Sequence, residues 1–172
     1  MILVAAFLFF LPAGMSNMMP VFVSKLPWLK KWNTPIDFGH TFRGKPIFGS
    51  HKTWRGLLCG VIGGSLVGWA LPHDFIAGYY PTWSVAVAAS MSLGALAGDA
   101  IKSFFKRRVD IKSGGKWFPF DQLDYIIGGL VCVLPFGAPS ISLTTAIVLS
   151  YFCLVIISTH IGYWLGLKES PL

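Results

Sequence analysis

Acids and bases gather where the chain leaves two of its apolar blocks. The stretch GDAIKSFFKRR, Gly98–Arg108, directly follows the run WSVAVAASMSLGALA. On a helix, Asp99, Lys102, Ser103 and Lys106 fall at i, i+3, i+4 and i+7, so they share one face. Arg107 lies at the edge of that face and Arg108 points away. A snorkelling, positive-inside anchor accounts for the cations. It does not account for Asp99, which is costly near hydrocarbon and adds little to topology. The face is therefore read as functional. The next segment, KSGGKWFPFDQLDY, holds a Ser113-Gly114-Gly115 turn and then Pro119, suited to a helix start. Asp121 and Asp124 then stand one turn apart at the mouth of the following helix. Two such carboxylates could be dipole partners worth about 0.3–1 kcal/mol each. Yet the chain has only seven acids, and three of them meet at this boundary. Hard carboxylate oxygens among cations suit Mg²⁺ carrying a polyphosphate. Asp99, Asp121 and Asp124 would hold the metal, and Lys102 and Lys106 would neutralise phosphate charge.

The loop FGHTFRGKPIFGSHKTWRG adds more of the same chemistry, setting Arg43, Lys45, Lys52 and Arg55 among glycines, with Ser50 and Thr53. Gly39 to Lys45 reads like the opening of a P-loop, but Pro46 stands where Ser or Thr is required and no strand precedes it. That reading is rejected. A basic glycine-rich loop can still wrap phosphates through side chains and backbone N–H groups. His40, His51, His73 and His160 have no zinc spacing; His160 is read as a packing residue. Cys59, Cys132 and Cys153 all fall in apolar blocks and are read as small packing residues.

The elements that position these groups follow from hydropathy. The chain is 54% hydrophobic and 12% charged, about half the charge of a soluble domain. Five apolar blocks approach the length that spans a bilayer: Met1 to about Val23, Trp54–Leu71, Thr82–Ala97, about Leu123–Phe136 and Ile141–Leu167. Pro12 and Asn17 predict a kink or break in the first, beside something polar. Seven of the fourteen Lys and Arg lie between the first two blocks and six between the third and fourth. Basic loops stay cytoplasmic, which places the N-terminus outside and the C-terminus inside. The expected fold is an all-α membrane protein of five transmembrane helices, one domain over 1–172, with two basic cytoplasmic loops. Small residues every fourth position (Gly56, Gly60, Gly64, Gly68; Ser90, Gly94, Gly98; Ser158, Gly162, Gly166) predict close helix packing within the chain. Topology explains the positive charge, so nucleic acid is not an expected partner.

GSHKTWRG (Gly49–Gly56), GDAIKSFFKRR and PFDQLD (Pro119–Asp124), in this order, resemble the archaeal CDP-archaeol synthases. These are membrane cytidylyltransferases related to CDP-diacylglycerol synthases. Ser103 to Arg107 match the wider family's Ser-x-x-Lys-Arg run, while Gln122 replaces the Arg of bacterial members, which suits the archaeal branch. The resemblance implies transfer of CMP from CTP to 2,3-bis-O-geranylgeranylglycerol 1-phosphate in the bilayer. CDP-archaeol and pyrophosphate would be the products, Mg²⁺ the cofactor, and the site would lie on the cytoplasmic side of the cell membrane. It implies that Asp99, Asp121 and Asp124 are the metal and phosphate-site acids. Lys102, Ser103, Lys106 and Arg107 would grip triphosphate or lipid phosphate. Arg43, Lys45, Lys52, Thr53 and Arg55 are candidate CTP or lipid-phosphate contacts, and Lys112 joins the substrate-binding set. The base-reading residues are not legible, Asn17 being a guess. A CTP-dependent lipid kinase and an anion or phospholipid transporter are the alternatives. The kinase would release CDP; a transporter would place its site near the midplane between repeats, which this chain lacks.

Overall fold

The computed structural model describes residues 1–112 and 115–164. Each apolar block carries one main helix over its described residues. In chain order these are α1 (Ile2–Ser24), a turn α2 (Pro27–Lys30), strands β1 (Thr41–Phe42) and β2 (Lys45–Pro46), α3 (Trp54–Ala70) and a short α4 (His73–Ala77). They continue with α5 (Val85–Arg108), α6 (Phe120–Val133) extended by a 3-10 turn Leu134–Phe136, and α7 (Ile141–Trp164). Three of the helices, α1, α5 and Ile141–Ile161 within α7, are long and apolar enough to cross a membrane. The end of the fifth block, with Gly166 and Lys168, lies outside the described residues, as do Ser113 and Gly114.

Glycine spacing decides how the helices meet. On α3, Gly56, Gly60, Gly64 and Gly68 are buried, while Leu58, Ile62, Leu66 and Trp69 are exposed on the other side. A Cβ added at Gly64 would run into Ser92 Oγ and the Pro12 carbonyl, so only glycine lets three backbones converge there. The same holds between α5 and α6. Cβ atoms at Gly94 and Gly98 would strike the carbonyls of Gly128 and Asp124, and Ser90 Oγ donates to Cys132 O at 2.7 Å. The third stripe behaves differently. Ser158 is exposed and bonds only its own helix, at Val155 O. Cys153 is exposed too, against the expectation of packing, whereas Cys132 is half-buried beside Gly94.

The expected break in α1 is absent: the helix runs through Pro12 and Asn17 to Ser24. Pro12 is buried close to Gly64 and Gly68, and Ser16 Oγ donates to Ala13 O (2.9 Å) and across to Ser92 O (3.3 Å). Packing against α3 and α5 holds the helix across the gap that proline leaves in its ladder. Phe9 and Phe10 of α1 complete the core; Phe10 meets Tyr151 of α7 edge-on at 5.0 Å, and Tyr151 OH donates to Phe7 O at 2.7 Å.

The first basic loop is not irregular throughout. β1 and β2 pair antiparallel, Thr41 with Pro46 and Phe42 with Lys45, around a two-residue turn in which Arg43 (φ 52°) and Gly44 (φ 75°) are both left-handed. The P-loop-like stretch thus ends in a strand with no helix directly after it, which agrees with its rejection. Asp37 is buried beneath this loop and accepts from the amides of Gly39, Phe48 and Gly49 at 2.8–3.3 Å. Burial pushes its carboxyl up, but the amides of Phe48, Gly39 and Gly49 outweigh it and hold Asp37 below the ordinary aspartate value. Arg108 clasps the hairpin to the end of α5. Its guanidinium donates to the carbonyls of Phe42, Lys45 (3.2 Å) and Pro46 (2.6 Å) and lies 4.7 Å above the Phe104 ring.

Candidate active site

Where α5 and α6 touch at Gly98, the acids and bases converge. Lys102 Nζ stands 3.1 Å from Asp99 Oδ1, 2.8 Å from Asp121 Oδ1 and 2.6 Å from Asp124 Oδ2. Lys106 Nζ reaches both Asp121 oxygens (2.7 and 2.8 Å) and the Gly115 carbonyl (2.5 Å). Lys52, from the first loop, pairs with Asp99 Oδ2. Backbone amides complete the cradle: Trp117 N–H donates to Asp121 Oδ2 (2.6 Å) and Tyr125 N–H to Asp124 Oδ1 (2.7 Å). The side chains of Lys102 and Asp124 are only 12% and 5% exposed. Ions this buried persist only when paired, because each has given up its hydration.

The acids expected to hold a metal therefore meet on an ammonium. Among the described residues no group of three or more His, Cys, Asp or Glu side chains is spaced to hold a metal by itself. Asp121 Oδ1 and Asp124 Oδ2 are nonetheless buried oxygens at ion-pair range of Lys102 without hydrogen-bond alignment. A cation already sits amid hard oxygen donors, and that is the donor set Mg²⁺ takes.

Two cavities flank the cluster. A polar one of about 530 Å³ opens between α1, α3 and the first loop, and its lining includes Asn17, Asn33, Lys52, Thr53, Arg55 and Asp99. An apolar one of about 600 Å³ runs between α5 and α6, lined by Ala97, Gly98, Ile101, Phe105, Ile127 and Val131, with Lys102 and Asp124 at its charged end. The Asp99–Lys102 ion pair joins the two. Pockets of this size accommodate small molecules.

The predicted residues divide accordingly. Asp99, Lys102, Lys106, Asp121, Asp124 and Lys52 are brought together. Thr53 lines the polar cavity and caps α3, accepting from Gly56 N–H at 3.2 Å. Arg55 lines it too, but its guanidinium is engaged by Leu29 O and Asn33. Ser103 is buried with its hydroxyl turned to Asp99 O (2.8 Å), and Arg107 keeps a buried, unpartnered Nε. Arg43, Lys45 and Lys112 line neither cavity; Lys45 pairs with Asp110 at 2.6 Å. His160 is half-buried, its Nδ1 2.9 Å from Ile156 O. Sequence reasoning passed over Asp37, Asn33 and the clasp at Arg108. The lone acid in a basic glycine-rich loop was the available signal for Asp37.

A family model described as CarS-like: CDP-archaeol synthase matches residues 1–172. The chain belongs to this family. Proteins named CDP-archaeol synthase are similar to it: one from Methanospirillum hungatei is 38% identical, covering 80% of this chain and 89% of that one. Others are from Pyrococcus furiosus (41%, covering 76% and 74%) and Pyrococcus abyssi (39%, covering 94% and 88%). A solved structure described as an intramembrane enzyme for archaeal membrane lipids biosynthesis shares the fold. Its TM-score is 0.72 at 29% identity, over 89% of this chain and 91% of that one.

Proposed function

We propose that this chain transfers CMP from CTP to an unsaturated archaeal ether-lipid phosphate, forming CDP-archaeol and pyrophosphate at the cytoplasmic face of the cell membrane. The observation that carries this is the charged cluster standing between a polar and an apolar cavity. A soluble nucleotide enters one side, and a lipid whose tails stay in the bilayer reaches the other.

The lipid phosphate oxygen is already anionic near neutral pH and attacks the α-phosphorus of CTP. One P–O bond forms, the bond to pyrophosphate breaks, and no base has to take a proton. Catalysis is then positioning and charge neutralisation. Lys52, Lys102 and Lys106 draw the two polyanions together and stabilise the leaving pyrophosphate. Mg²⁺ held by Asp99, Asp121 and Asp124 supplies further neutralisation of phosphate charge when bound. Asp121 fixes Lys106, and Asp124 fixes the depth of Lys102 at the mouth of the apolar groove.

The topology belongs to the same proposal. α3 and α6 join α1, α5 and α7 as spans. The outward stripe Leu58, Ile62, Leu66 and Trp69 is 44–70% exposed, a surface that suits lipid and not water. At 1.5 Å per residue, α3 measures about 26 Å against a hydrocarbon thickness of about 30 Å. With the basic loops inside, the N-terminus lies outside and the C-terminus in the cytoplasm.

A product assay on detergent-solubilised protein with CTP, Mg²⁺ and the geranylgeranyl ether-lipid phosphate tests the chemistry. Pyrophosphate and CDP-lipid should appear together and be lost on chelation or in Asp121→Asn. CDP with a newly phosphorylated lipid would instead identify a kinase.

A further inference from the structure

We propose that Asn33, held by Arg55, is the residue through which this site selects cytosine over uracil. The inference rests on reading the polar cavity as the CTP site. The cavity lining combines the charged Lys52, Asp99 and Arg55 with the neutral Asn17, Pro20, Ser24, Asn33 and Ile36. A triphosphate belongs beside Lys52. A base, with flat apolar faces and an uncharged polar edge, belongs against the neutral residues.

One carboxamide in that lining has a fixed orientation. Arg55 is 5% exposed, and it donates through Nη1 to Leu29 O at 2.8 Å and through Nη2 to Asn33 Oδ1 at 3.4 Å. A guanidinium has donors only, so the Asn33 oxygen must face it. The group Asn33 can offer to the cavity is then its NH₂. Arg55 Nε is buried without a hydrogen-bond partner, so among the described residues Leu29 and Asn33 place the guanidinium. Asn17 lines the same cavity, but among the described residues no hydrogen bond fixes its amide, and it can present either face.

The donor decides the base. Cytosine shows two adjacent acceptors, O2 and N3, on its pairing edge; uracil carries N3–H at the second position. An amide NH₂ held there donates to cytosine and opposes the N–H of uracil. Donor–donor opposition at a desolvated edge discriminates by roughly 10- to 100-fold. Arg55 is a positioning residue in this scheme, since it acts by fixing Asn33.

The test uses initial rates with full-length protein on CTP, UTP and 3-deaza-CTP, in which C–H replaces N3. Wild-type protein should prefer CTP to UTP and lose about 10- to 100-fold in kcat/KM on 3-deaza-CTP, mostly in KM. Asn33→Asp, an isostere with acceptors only, should shift the CTP/UTP ratio at least about tenfold towards UTP. Arg55→Lys, which loses one of the two donors that hold Leu29 and Asn33, should lower the same ratio. Full use of 3-deaza-CTP by the wild type would overturn the assignment without any variant having to fold. An unchanged ratio in an Asn33→Asp protein that melts like wild type would overturn it as well. Both results leave CTP turnover intact; a wild type inactive on every nucleotide sinks the underlying reading, and this inference with it.

Discussion

At the scale of single residues, Lys102 is the centre on which the rest depends. Three carboxylates within 3.1 Å of one ammonium are stable only together. Replacing Lys102 by Met strands buried charges, an effect of about 3–5 kcal/mol. A markedly lower melting temperature in detergent is the expected readout. Adding Asp124→Asn to that variant should restore part of the stability and none of the turnover, which separates folding from chemistry. Asp121→Asn, which keeps shape and removes charge, should lower kcat by about 100-fold or more. Asp37 gives a pH prediction. Its folded-state value is depressed, so its contribution is complete above the ordinary range near pH 4 and is lost as pH falls through the folded value. The stability gap between wild type and Asp37→Asn should be widest at neutral pH and shrink below about pH 4; melting curves at both ends check this. The cluster acids were legible in the sequence because charge in an apolar chain is conspicuous. The ammonium at their centre was not, since helical spacing puts Lys102 beside Asp99 but cannot say that α6 delivers two more carboxylates to the same nitrogen.

At the scale of elements, the helices could be read from hydropathy and the glycine stripes of α3 and α5 from their four-residue spacing. The α7 stripe reads identically yet faces outward at Ser158, because spacing marks a smooth face and not the neighbour that covers it. The hairpin was missed for a related reason. Two strands of two residues have no periodicity, and their stability comes from elsewhere: Asp37 below and Arg108 from α5. Arg108→Ala should therefore loosen the loop that carries Lys52. The expected outcome is faster proteolysis between residues 38 and 52 and a raised KM for CTP, with the helical content unchanged.

At the scale of the whole molecule, two cavities on either side of one charged seam predict separable substrate effects. Ala97→Phe intrudes on the apolar cavity alone. It should raise KM for the lipid phosphate severalfold and leave KM for CTP unchanged, measured by varying each substrate in turn. Gly98 has no such independence. It lines the apolar cavity, and its α-carbon is where α5 rests on the Asp124 carbonyl. A change there alters the width of the apolar cavity and the spacing of the acids in one stroke. Cavity shape and the placement of the acids are thus a single variable at the α5–α6 contact. The half-exposed Ile101 and Phe105 can change in size without touching the acids, whereas Gly98 cannot.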